Sequence, residues 1–163
     1  MSMKRALGVL ITLLVVLSTT NSVQAQEQGD FRLGFRTGYY FRANAYAIGM
    51  YGTYGIRDWL NVEPGINYVC KQKSTVDVYC DFQVPLEIAA YWHVYPIFGV
   101  SVHDIYDRRR DVDGWGAGLN IGLGTTYNMN DRWSLSAQAK WMGRIPLEHI
   151  SSVVVFLGID YNF

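Results

Sequence analysis

Three stretches of the sequence carry side chains whose types and spacing could do chemistry. "HIS" at His149–Ser151 sets an imidazole two residues from a hydroxyl, the base and nucleophile of covalent catalysis. In an extended chain residues two apart share a face, so both would act on one surface. Cys70 and Cys80 are the only cysteines. If the chain turns back in a hairpin centred on Thr75, Cys70 lies opposite Cys80, Tyr68 opposite Phe82 and Ile66 opposite Val84. That register allows a disulfide; the alternative is two free, outward-facing thiols. "YDRRRDVDG" (Tyr106–Gly114) concentrates charge. Arg108, Arg109 and Arg110 have the fork geometry that grips phosphate or an acidic partner, but such a run is more often simply a solvated loop. "DVDG" lacks the remaining ligands of a calcium loop. Two cysteines and three scattered histidines make no zinc set, so no metal or cofactor is implied.

A fourth set of reactive groups is dispersed: Arg32, Arg36, Glu63, Asp81, Glu87, Lys140 and Asp160. Each falls in an alternating segment, on the opposite side from the large apolar residues. The elements that must carry them are therefore strands. "GWGAGLNIGLGTTYN" (Gly114–Asn128) shows the pattern, since a helix would lose about 1 kcal/mol at each glycine relative to alanine. Strict alternation is the period of a strand whose two faces meet different surroundings.

Eight such segments are expected, near Asp30–Phe41, Ala45–Ile56, Leu60–Lys71, Val76–Trp92, Pro96–Asp104, Gly114–Tyr127, Arg132–Met142 and Ile150–Phe163. In the first, Phe31, Leu33, Phe35, Thr37, Tyr39 and Phe41 oppose Arg32, Gly34, Arg36 and Gly38. In the third, Leu60, Val62, Pro64, Ile66 and Tyr68 oppose Asn61, Glu63, Gly65 and Asn67. The seventh sets Trp133, Leu135, Ala137, Ala139 and Trp141 against Ser134, Ser136, Gln138 and Lys140. The eighth sets alternate residues from Val153 to Phe163 against Gly158, Asp160 and Asn162. Polar faces rich in glycine suit a crowded interior, and apolar faces ending in aromatics suit lipid, which is the pattern of a transmembrane barrel. Short connections at Arg57–Asp58, His93–Tyr95 and Asn128–Asp131 alternate with longer ones, so both termini fall at the short-turn end. Phe31, Trp92, Tyr127, Trp133, Tyr161 and Phe163 gather at that end. Tyr39, Phe41, Tyr46, Trp115 and Trp141 gather at the other, as two aromatic belts at two membrane interfaces would. Trp59 is out of phase and belongs to a turn.

Before these strands, Lys4 and Arg5 precede the apolar run "ALGVLITLLVVL" and the sequence "VQA", a secretory signal peptide over residues 1–25 with cleavage after Ala25. The run is shorter than the roughly 20 residues of a membrane-spanning helix. Residues 26–163 then form one domain. Without Lys4 and Arg5, the 14 basic side chains of the whole chain fall two short of the 14 acidic ones, a balance with no footprint for nucleic acid. Aromatic residues are 15% of the chain, with 16 glycines but only 4 prolines, which fits neither disorder nor a helical bundle. The fold expected is all-β: an eight-stranded, antiparallel, up-and-down transmembrane β-barrel. Eight strands leave an interior just wide enough for side chains to fill, so the seven dispersed charges are expected to pair there and close the pore.

The Gly-x-Gly sixth strand, the fourth-strand segment "VPLEIAAYW" and the ending "LGIDYNF" with its terminal Phe163 resemble the small outer-membrane barrels. They resemble the OmpA/OmpX-type and, more closely, the PorT-like barrels of Bacteroidetes-type bacteria. The resemblance implies an outer-membrane location, insertion by the barrel-assembly machinery through the Phe163 strand, and contact with membrane lipid and lipopolysaccharide. It also implies a structural or interaction role, with the outer loops meeting an envelope or host protein. "HIS" is similar to the His-x-Ser of the lipid A deacylase barrels, which implies an alternative as an outer-leaflet hydrolase using His149 and Ser151. Ser152 stands where that family has asparagine, Glu148 is out of place for its acid, and Asp160 points to the other face. A soluble ligand-binding barrel is a further alternative, with the two faces exchanged.

Overall fold

A computed structural model describes residues 29–70, 75–107, 112–145 and 152–163, the side chains of 104–107, 112–115 and 144–145 excepted. Nine strands form one antiparallel sheet: β1 (Phe31–Tyr40), β2 (Ala45–Arg57), β3 (Leu60–Cys70), β4 (Thr75–Gln83), β5 (Leu86–Ala89), β6 (Trp92–Asp107), β7 (Val112–Asn128), β8 (Trp133–Ile145) and β9 (Ser152–Asn162). Neighbours in sequence pair except β4 with β5, β1 pairs with β9, and β4 pairs with β6, so the sheet closes on itself. Closure gives every strand but short β5 two partners, and so meets the backbone hydrogen bonds of the barrel without water. β4 and β5 form one wall. Both run along β6 in a single register, Gln83 opposite Ile97 and Leu86 opposite Val94. The wall is interrupted at Val84–Pro85, where Pro85 has no N–H to donate. The barrel thus has eight walls, as expected.

Burial separates the two faces of each wall. Along β9, Val154, Phe156 and Asp160 are buried, while Val153, Val155, Leu157 and Ile159 are exposed. In β8, Ser134, Ser136, Gln138 and Lys140 are buried and Leu135 and Trp141 exposed. Glycines of β3, β6 and β7 make room for the inward side chains. A Cβ at Gly124 would strike the Tyr95 ring, one at Gly65 the Tyr79 phenol, and one at Gly99 the Asp81 carboxylate.

Several expectations are corrected. The turn expected at His93–Tyr95 lies at Ala90–Tyr91, because β6 already starts at Trp92, opposite Tyr127 of β7. The charged connection after Asp104 is partly strand, since β6 and β7 stay paired as far as Asp107 and Val112. The β3–β4 hairpin is not centred on Thr75. Val69 pairs with Thr75 and Pro64 with Cys80, so the two cysteines stand six residues apart along the hairpin and are free thiols, Cys70 exposed. The intramolecular disulfide is excluded by register.

The two belts take shape as ring contacts. At the end where β1 begins and β9 finishes, Phe31 meets Phe163 at 5.6 Å, Phe163 meets Tyr161 at 5.0 Å, Tyr161 meets Trp133 at 5.1 Å, and Trp92 meets Tyr127 at 6.0 Å. At the other end Tyr39 lies 5.3 Å from Phe41 and 5.1 Å from Tyr46. Trp59 stands in the β2–β3 turn, as expected.

Candidate functional site

The interior of the barrel holds the chemistry. Arg36 from β1 is its centre. One guanidinium nitrogen, Nη1, donates to Glu63 Oε1 at 3.2 Å and to Gln138 Oε1 at 3.1 Å, and Nε donates to Asn67 Oδ1 at 2.9 Å. Gln138 Nε2 returns to Glu63 Oε2 at 3.0 Å, closing a triangle between β1, β3 and β8. Glu63 also accepts from Gln83 Nε2. The flat faces of the guanidinium stack on Phe156 at 4.0 Å and Tyr79 at 4.3 Å, which stabilises a desolvated cation where water is excluded.

A second centre joins β8 to β4, β7 and β6. Lys140 Nζ donates to Asp81 Oδ2 at 2.6 Å. Asn120 Nδ2 holds the other carboxylate oxygen at 2.8 Å, and Ser101 Oγ donates to Asn120 Oδ1 at 3.0 Å. The ammonium also faces Tyr79 at 4.4 Å, so one phenol ring separates and serves both cations. Of the four side chains in the two pairs, none is more than 5% exposed. Burying each charge costs several kcal/mol, and pairing with further hydrogen bonds is what offsets that cost.

Asp77 stands further toward the loop end. It accepts from Tyr40 OH at 2.8 Å and Asn67 Nδ2 at 3.0 Å, with His103 Nδ1 at 4.0 Å. Asn67 therefore links Arg36 to Asp77. Toward the terminal end, the Tyr51 and Ser136 hydroxyls share a 2.7 Å hydrogen bond beside buried Asp160.

Of the seven charges expected inside, Arg36, Glu63, Asp81, Lys140 and Asp160 are buried there, and the first four form two ion pairs. Arg32 is half-buried. Glu87 is the exception: it lies on short β5, opposite His93 at the terminal rim, and is exposed. Below Gln83 the wall has lost its β3 neighbour, because β3 begins at Leu60, so no described strand covers Glu87 on that side. Arg108, Arg109, Arg110, His149 and Ser151 lie outside the described residues.

Sequence reasoning missed much of the interior. Tyr40, Tyr51, Tyr79 and Tyr95 are all buried, as are Asp77, Asn120 and His103. The available signal was phase, since Asp77 and Tyr79 share the face of Asp81, just as Asn67 was set beside Glu63. An apolar cluster of Tyr40, Ala45, Ala47, Val69, Met142, Val154 and Phe156 also packs in the interior near the loop end. There both faces of a strand are apolar, and alternation carries no sign.

A closed antiparallel sheet with ion pairs inside and aliphatic side chains outside defines a transmembrane-type β-barrel. No protein-family model and no curated protein matches the sequence. Among solved structures, the N-terminal β-barrel domain of Pseudomonas aeruginosa OprF matches with a TM-score of 0.72 at 17% identity, over 85% of this chain and 100% of that one. A de novo designed transmembrane β-barrel gives 0.60 at 14%, over 85% and 99%. Ail, the attachment invasion locus protein of Yersinia pestis, gives 0.57 at 12%, over 85% and 100%. At these identities the likeness is one of fold: an eight-stranded barrel of the outer-membrane type.

Proposed function

We propose that this chain is an integral outer-membrane β-barrel with a structural or interaction role, its interior filled and not an open porin. The observation that carries the reading is the inversion of faces. Phe35, Ile48, Leu123 and Leu157 are each more than half exposed, while Arg36, Glu63, Asp81 and Lys140 are sealed inside. In water that arrangement would expose a continuous apolar belt and bury its charges for no return; in a bilayer it is the stable one. Residues 1–25 serve as the export signal, and the barrel-assembly machinery inserts the chain, reading the strand that ends in Phe163. The termini and the short turns then face the periplasm. The "VPLEIAAYW" and "LGIDYNF" segments support membership of the PorT-like group. Arg108, Arg109 and Arg110, in the connection between β6 and β7, supply charge for lipopolysaccharide phosphates or for an envelope or host protein.

The test is refolding of residues 26–163 into detergent micelles, followed by electrophoresis with and without boiling. A heat-dependent mobility shift with β-rich circular dichroism is expected. A monomer stable in plain buffer without the shift would overturn the reading.

A further inference from the structure

The lipid-facing wall of β9, β1, β2, β3 and β4 is not uniform. Two rows of outward side chains cross it in register. The lower row runs from Ile159 through Phe35 and Met50 to Ile66. The upper row runs from Leu157 through Thr37, Ile48 and Tyr68 to Val76. Between them lies a trough of about 700 Å³, floored by the backbone of Gly158, Arg36, Gly49 and Asn67. Thr37 opens it, as the one short side chain between Leu157 and Ile48 in the upper row. Its hydroxyl is spent within the sheet, donating to Ala47 O at 3.2 Å.

We infer that this trough seats one acyl chain of an outer-leaflet lipid, an inference that rests on the membrane reading above. Shape, direction and chemistry support one occupant. The trough crosses four interstrand spacings of ~4.8 Å, a length of ~19 Å. Its ends differ in height: Val76 is next to the loop end of β4, whereas Leu157 lies midway along β9. An occupant entering at the loop-end rim therefore reaches the middle of the barrel. One leaflet of a hydrocarbon core ~30 Å thick is ~15 Å deep, so a single chain lying obliquely spans the trough. The walls are hydrocarbon apart from Thr37 and the Tyr68 phenol, which sits toward the rim where a lipid's polar part begins. A headgroup has no partners on the floor. An acyl chain needs none, and gains dispersion contacts on three sides instead of one.

Native mass spectrometry tests this on the mature chain released from micelles containing dipalmitoylphosphatidylglycerol. The wild type is expected to retain one lipid. Thr37→Trp, which fills the trough, should lower the lipid-bound fraction at least fivefold. Leu123→Trp, on the β7 face away from the trough, should leave it unchanged. Equal retention by wild type and Thr37→Trp, with the heat-dependent gel shift intact in both, overturns the acyl-chain site and leaves the membrane reading standing. Loss of lipid from Leu123→Trp as well overturns it too, since binding would then not belong to this wall. Absence of the gel shift from the wild type, with solubility in plain buffer, fails the membrane reading instead. Should Thr37→Trp itself lack the shift, Thr37→Phe fills the same space and is read by the same criteria.

Discussion

Arg36 joins three walls of the barrel through hydrogen bonds to Glu63, Asn67 and Gln138, and its stacking on Phe156 and Tyr79 covers the faces that hydrogen bonds cannot reach. Lys140 is simpler, with one carboxylate partner and the rings of Tyr79 and Phe156, and is the cleaner residue to test. Removing one member of a buried pair leaves the other charged and uncompensated, at a cost of about 3–5 kcal/mol. Lys140→Met is thus expected to destabilise the folded barrel by that amount in denaturant titrations in micelles. Adding Asp81→Asn, which keeps an oxygen for Asn120 while removing the stranded charge, should restore more than half of the loss. If the double variant is as unstable as the single one, Lys140 acts through packing and not through its charge.

At the scale of elements, the β3–β4 hairpin and the interrupted β4–β5 wall carry the consequences. With Pro64 opposite Cys80, the cysteines cannot meet within one molecule. Denatured, unreduced monomer treated with an alkylating reagent should gain two adducts by intact mass. A monomer that takes up none would mean that the hairpin has slipped to the register centred on Thr75. The slip that separates the two registers is six residues, an even number, so both keep the same faces in and out. That is why alternation in the sequence could not choose between them. The break at Pro85 explains the Glu87 error in the same terms: its phase is inward, but β3 does not extend far enough to enclose it.

For the whole molecule, closure of the sheet and filling of its interior belong together. Eight walls leave room for side chains and little else. Here that room is taken by the Arg36 and Lys140 centres, the inward tyrosines and an apolar cluster near the loop end. In planar bilayers the folded protein should therefore show no sustained porin-like conductance. Stable open steps in wild type would contradict the filled interior. The two aromatic belts lie at opposite ends of the barrel, so the bilayer has one orientation-compatible depth in which to hold it.

The class of fold was legible in the sequence because a barrel wall in lipid keeps a period of two over most of its length, with register shifts only at Gly55–Arg57 and Glu87–Ala89 among the described pairings. Arg32, Arg36, Glu63 and Asp160 could be assigned to one side, and Leu33, Phe35, Val62 and Ile159 to the other, from neighbours two residues away. Phase also foretold that β7's glycines would lie beneath crowded inward side chains. What phase cannot supply is position along the strand or partner across the lumen. Whether Arg36 meets Glu63 or Asp81, whether Asn67 bridges Arg36 and Asp77, and whether Cys80 faces Pro64 or Cys70 all depend on interstrand register and on which walls closure brings face to face. Those contacts are separated by up to 102 residues in sequence and exist only once β1 has found β9. The period of the chain settled inside from outside; the closed sheet settled which residues touch.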